Sequence, residues 1–168
     1  AKTTLTGTNT YSGGTTLSNT TTVSTGASQY SRTATGTLEV AGGGNLGTNS
    51  AMTNNGLLIF NDSAAQSWNG AMSGSGYFLK NGSNTLTLTG THTFTGTTVV
   101  NAGTLLVGAG STAGSMSSAS NVYLPVATAN YSVSRSDNLS MGAVVKGVGV
   151  FEKLGSNTLT LTGSSLNA

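Results

Sequence analysis

The sequence predicts an all-β solenoid, one continuous coil of short stacked strands, and three observations point to it. First, Gly82-Ser83-Asn84-Thr85-Leu86-Thr87-Leu88-Thr89-Gly90 recurs unchanged as Gly155-Ser156-Asn157-Thr158-Leu159-Thr160-Leu161-Thr162-Gly163, 73 residues on. Upstream, Gly74, Gly76, Phe78 and Lys80 recur as Gly147, Gly149, Phe151 and Lys153 at the same offset. Repeating chains of this kind bury each unit against its neighbour. Second, apolar and hydroxyl residues alternate with a period of two, the mark of a half-buried strand. Third, the 168 residues include 25 Gly, 1 Pro and only 6% charged residues, so the charge-rich composition of a disordered chain is missing.

In chain order, the alternation places strands at 4–6, 15–17, 37–40, 56–60, 77–80, 85–89, 97–100, 104–107, 121–124, 150–153 and 158–162. The opening Thr4-Leu5-Thr6-Gly7 is a degenerate copy of Thr87-Leu88-Thr89-Gly90. Turn formers separate the strands: Ser12-Gly13-Gly14, Asn54-Asn55-Gly56, Asn61-Asp62-Ser63, Asn81-Gly82 and Asn101-Ala102-Gly103. The Ser-, Ala- and Gly-rich stretch 111–120 reads as a loop, and no amphipathic helical stripe is present. A sandwich or barrel would also use short strands, but only a coil reuses the same corner at each repeat. At about 20–25 residues per turn, the repeat spans roughly three coils and the chain about seven. The whole is expected to be a single segment, residues 1–168, with repeat units near 3–40, 73–107 and 146–168.

The scarcity of charge suits a stacked array. Equivalent positions on successive turns lie about 4.8 Å apart, where repeated charges would repel and stacked Thr, Ser and Asn can exchange hydrogen bonds. The six bases, Lys2, Arg32, Lys80, Arg135, Lys146 and Lys153, form no run, which argues against a nucleic-acid partner. With no cysteine there is no disulfide framework or thiolate metal site.

The residues able to carry chemistry are few. His92 aligns with Asn9 of the first copy and reads as a turn residue, not a base. Of the acids Glu39, Asp62, Asp137 and Glu152, the two aspartates sit in turn contexts, and Glu152 and Lys153 should face opposite ways on one strand. Lys80 and Lys153 are expected at strand ends with their charge in solvent. No catalytic, cofactor or metal residue is assigned. Trp68 aligns with Met141 and is expected to fill the core, while Tyr11 and Phe94 are expected to share one interior column. Leu86, Leu88, Phe94, Leu159 and Leu161 are the structural repeat positions. Tyr30, Tyr123 and Tyr131 lie outside the best-matched unit and are the candidate surface contacts.

Laid out in this way, Gly74 to Gly90, with its continuation Thr93-Phe94-Thr95-Gly96-Thr97-Thr98-Val99-Val100-Asn101-Ala102-Gly103-Thr104-Leu105, resembles the transport-associated repeat of autotransporter passenger regions. Asn9-Thr10-Tyr11-Ser12-Gly13-Gly14 is similar to the same repeat. The last copy departs from it after Gly163, where Ser164-Ser165-Leu166-Asn167 has no aromatic. The resemblance implies a right-handed parallel β-helix, part of a longer passenger, exported by the type V route and displayed on or released from a Gram-negative cell. It also implies an outer-membrane translocator barrel in the full-length protein. The expected role is adhesion or cell–cell aggregation without catalysis, through a surface glycan, a protein or self-association. An inert stalk or fibre subunit and a polysaccharide-active β-helix enzyme are the alternatives.

Overall fold

The computed structural model describes residues 2–18, 22–25, 32–33, 36–47, 49–117 and 120–163. They form an all-β solenoid with three walls and, among the described residues, no helix. The first wall stacks seven parallel strands: Lys2–Leu5, Thr37–Ala41, Leu57–Asn61, Tyr77–Lys80, Thr98–Val100, Asn121–Leu124 and Val144–Gly147. The second stacks Gln66–Trp68, Thr85–Leu88, Thr104–Ser111, Asn130–Arg135 and Val150–Leu154. The third wall begins with Thr15–Leu17, Met52–Asn54 and Met72–Ser73, passes through a parallel bridge between Thr91 and Ser115, and resumes with Leu139–Met141 and Leu159–Leu161.

Along the first wall the successive partners Leu38, Leu58, Phe78 and Thr98 are 20 residues apart, which sets the length of one circuit. Higher up the step widens, from Thr98 to Val122 and then Val145 on the first wall and from Leu105 to Tyr131 on the second. The seven-stranded wall amounts to about six turns, close to the seven that the spacing predicts. The difference is absorbed by the wider upper turns and by an antiparallel excursion near the start. There Thr22–Thr25 pairs with Thr15–Leu17, and Arg32–Thr33 pairs with Thr22–Thr25.

The 73-residue repeat covers three circuits plus one wall. Phe78 belongs to the first wall and its copy Phe151 to the second, whereas Leu86 belongs to the second and its copy Leu159 to the third. A unit that alternates apolar and polar residues fits any wall, because all three walls close on one interior.

That interior is a set of columns. Leu38, Leu58, Phe78, Thr98, Val122 and Val145 stack behind the first wall, and Leu86, Leu105 and Tyr131 stack behind the second, all of them buried. Phe78 meets Phe60 and Phe94 edge-on, with ring centroids 5.8 and 6.4 Å apart. Each fully buried leucine contributes about 1.5–3 kcal/mol. Leu159 is half buried against this core, and Leu161, on the terminal circuit, is 37% exposed.

Tyr11 and Phe94 do not share a column. Tyr11 precedes the third wall, half buried, with its hydroxyl 3.0 Å from Thr15 Oγ1, while Phe94 follows that wall and is fully buried. The stretch 111–120, expected as a loop, contributes Ser111 to a strand and Ser115 to the third-wall bridge.

Candidate binding surface

The four acids, Glu39, Asp62, Asp137 and Glu152, are engaged in structural bonds. Glu39 is buried under Lys2, whose Nζ lies 2.5 Å from Oε2, and Asn61, whose Nδ2 donates to Oε1 at 3.0 Å. These donors hold its carboxyl below the ordinary range. Asp62 accepts from the backbone N–H groups of Gly43 at 3.0 Å and Ala64 at 3.1 Å, and from the Gln66 amide. The Ala64 bond, two residues on, is the turn chemistry expected of Asp62. Arg135 grips Asp137 through two bonds of 2.8 and 2.7 Å, lowering its pKa. Glu152 accepts from Ser132 at 3.3 Å and Asn130 at 3.5 Å. Among the described residues no three His, Asp or Glu side chains gather as a metal site.

Four sequence expectations need correction or cannot be placed. Lys80 does not hold its charge in solvent: it is 3% exposed and stands in an inward column between Phe60 and Val100. Its Nζ donates to the carbonyls of Gly82 and, at 3.3 Å, Ala102, and burial pushes its pKa down to about 8. The repeat unit directs the lysine inward because its position has the parity of the core leucines, and a carbonyl two residues on receives it. Lys153 does the same toward Gly155 O at 2.6 Å, but from the exposed terminal circuit. Tyr131, expected at the surface, is fully buried, stacked on Phe151 at 5.7 Å with its hydroxyl 3.6 Å from Met141 Sδ. It occupies the column of Leu86 and Leu105, and burial pushes its pKa up. His92, expected as a turn residue, lies next to the Thr91–Ser115 bridge and is buried in the interior. Tyr30 lies outside the described residues.

Trp68 is buried, as is Met141. Tyr123, the remaining candidate contact, is 47% exposed on the outer face of the first wall. That face also carries Tyr77 at 58% exposure, which the sequence reading left among the strand residues. Tyr77 was missed because it lies inside the repeat unit. Its outward parity relative to Phe78 was the available signal.

Register alone defines the outer face. Glu39, Ile59, Leu79, Val99, Tyr123 and Lys146 form one outward column, and Thr37, Leu57 and Tyr77 form another. Between the two charged ends the surface is uncharged and partly apolar. The outward residues of the other walls are more polar, with Ser67, Thr87, Leu106 and Ser132 in one column of the second and Thr16, Thr53 and Ser73 on the third.

Beside Tyr77, where the third wall turns into the first, lies a groove of about 300 Å³ lined by Gly36, Asn55, Gly56, Leu57, Ser75, Gly76 and Tyr77. Its floor requires glycine. A Cβ on Gly56 would fall 2.1 Å from Gly36 O, one on Gly76 would fall 2.3 Å from Gly56 O, and one on Gly96 would fall 1.7 Å from Gly76 O. The corner thus keeps a strip free of side chains from coil to coil.

Residues 78–107 and 151–166 match the family model of the passenger-associated-transport-repeat, which is found in autotransporter passenger domains. No curated protein and no solved structure matches the chain. The first matched transport repeat runs from Phe78 through the second wall to Val107, and the second begins at Phe151, one wall further round. Transport repeats of this kind go with export to the cell surface or secretion in Gram-negative bacteria.

Proposed function

We propose that this chain is a surface-displayed segment of an autotransporter passenger that mediates adhesion or cell–cell aggregation and carries out no catalysis. The observation that carries the reading is the outer face of the first wall. It sets two exposed tyrosines beside the apolar outward residues Leu57 and Val99, in a chain with segments that match the transport repeat. A stacked wall offers the same kind of contact on each coil, so individually weak contacts add along the axis. Acids engaged by Lys2, Arg135, Gln66 and backbone donors are poor general acids or bases, which weighs against a polysaccharide-cleaving site. The partners proposed are a glycan or protein of a host or neighbouring cell, or another copy of the chain. The full-length protein would add an outer-membrane barrel.

The test is to display the segment on a bacterial outer membrane by fusing it to a signal peptide and a translocator barrel. Adhesion to cultured cells and settling of the culture are then measured. Display should raise one or both above the barrel alone, and Tyr77→Ala with Tyr123→Ala should reduce the gain. A folded, displayed segment that leaves both at the background level would mark it as an inert stalk.

A further inference from the structure

We infer that the groove beside Tyr77 is a binding site for a neutral saccharide chain lying along the solenoid axis. This rests on the adhesive reading above and names its ligand class.

No lining residue is charged, so the groove has nothing to recruit a phosphate, a carboxylate or a nucleic-acid backbone. Its strand edges are already satisfied. Leu57 N–H donates to Gly36 O at 2.6 Å, Tyr77 N–H to Gly56 O at 2.7 Å and Gly76 N–H to Asn54 O at 2.9 Å. An extended peptide would therefore find no unpaired ladder to join. What the groove does offer is the ring of Tyr77, which can cover the C–H face of a pyranose, beside groups that can bond its hydroxyls. The Asn55 side chain is already oriented, because its Oδ1 accepts from Ser75 N–H at 3.1 Å. The Asn55 Nδ2, the Ser75 hydroxyl and the Tyr77 hydroxyl carry no hydrogen bond to the described residues. An amide held in place by one bond and free on its other side binds at little entropic cost.

The direction of the ligand follows from the glycines. Gly36, Gly56, Gly76 and Gly96 stack one above another, so the floor continues above and below the Tyr77 level. Asn55, Ser75 and Thr95 precede them on one side, and Thr37, Leu57, Tyr77 and Thr97 follow on the other. Both rims repeat at the coil spacing of about 4.8 Å. A linear chain can lie on Tyr77 and also meet polar rim groups of successive coils, Asn55, Ser75 and Thr95, whereas a single sugar meets only one level.

The experiment uses the 168-residue chain, with cellohexaose, maltohexaose and the hexamer of N-acetylglucosamine as probes and their monosaccharides for comparison. Binding is read by ligand-observed NMR and calorimetry, and folding by circular dichroism and the thermal midpoint. At least one hexamer should bind, tenfold or more tightly than its monosaccharide. Tyr77→Ala should weaken it about tenfold with the melting curve intact. Tyr77→Phe, which keeps the stacking face, should weaken it less than Tyr77→Ala does, and Val150→Ala, exposed on the second wall outside the groove, should stay within about twofold. The inference is overturned if none of the hexamers binds, if monosaccharide and hexamer bind equally, or if Tyr77→Ala leaves binding unchanged. A displayed segment that promotes adhesion while binding no neutral saccharide would sink the groove and spare the adhesive reading. Saccharide binding without adhesion would do the reverse.

Discussion

The imidazole of His92 packs against the indole of Trp68 inside the solenoid, with ring centroids 5.4 Å apart and planes tilted by 42°. Neither histidine nitrogen nor the indole N–H has a hydrogen-bond partner among the described residues. Such a place accepts a neutral imidazole and penalises an imidazolium, so burial pushes the pKa of His92 from 6.5 down to about 4. Between these values the unfolded chain binds a proton that the folded chain refuses. Stability should therefore fall as the pH drops below 6.5, by about 2 kcal/mol at pH 5. Glu39 and Asp137, whose pKa values are lowered, add their own losses only in more acid solution. Urea melts at pH 7 and pH 5 should show the difference, and His92→Phe should flatten it. A wild-type midpoint that does not move between the two would refute this account.

Lys80 gives the opposite limb. Its folded pKa of about 8 lies below the ordinary 10.5, so above pH 8 the folded chain gives up a proton that the unfolded chain keeps. Stability should rise with pH across this window. The carbonyls of Gly82 and Ala102 favour the charged form and reduce the gain, which leaves about 1–2 kcal/mol between pH 7.5 and 9.5. Tyr131, whose pKa is raised by burial, works the other way only above pH 10. Lys80→Met should remove the slope in denaturant melts, and Lys153→Met, on the exposed terminal circuit, should leave it in place.

The coil was legible in the sequence because the Leu-Thr alternation and the Asn-Gly corners are local signals that each circuit repeats. The wall each copy would occupy was not legible. Leu86 and Leu159 have identical neighbours, and the wall on which a 73-residue offset lands depends on longer circuits, such as Leu105 to Tyr131, that no local pattern announces. Strands Met52–Asn54 and Gln66–Trp68 were not legible because they lack the Thr and Leu alternation of the repeat: Asn54 opens a turn-forming run, and Gln66 and Ser67 are both polar. At the surface, the exposure of Tyr123 was expected and that of Tyr77 was not. Reading the repeat as packing hid the fact that every second residue of a packed strand faces outward. Tyr131 failed for the same reason in reverse: it has the inward parity of Leu105 although it lies in poorly matched sequence.

Wall position also sets what each repeat leucine is worth. Leu86→Ala opens a cavity in a closed interior and should cost about 3 kcal/mol. Its copy Leu159 is half buried, so Leu159→Ala should cost about 1–2 kcal/mol, and Leu161→Ala under about 1 kcal/mol. Chemical denaturation of the three variants measures the gradient. Equal losses would mean that the terminal circuit is as well covered as the middle ones.

The neutral surface has a testable reason in its side-chain ladders. Asn101 Nδ2 donates to Asn81 Oδ1 at 2.8 Å, Asn69 Nδ2 to Asn49 Oδ1 at 2.5 Å, and the Thr53 and Ser73 hydroxyls meet at 3.3 Å, each pair 20 residues apart. Stacked amides serve as donor to one neighbour and acceptor to the next, which a charged side chain cannot do beside its own copy. Asn81→Asp alone keeps an acceptor for Asn101 and should cost under about 0.5 kcal/mol. Asn81→Asp combined with Asn101→Asp places two carboxylates on adjacent rungs, and the pair should cost about 0.5–1 kcal/mol more than the two single changes together. Repulsion between exposed charges is screened by salt, so the excess should shrink between 20 mM and 1 M sodium chloride. A double-mutant cycle at both salt concentrations reads it, and additive costs at low salt would remove charge repulsion as the reason these ladders are built from amides and hydroxyls.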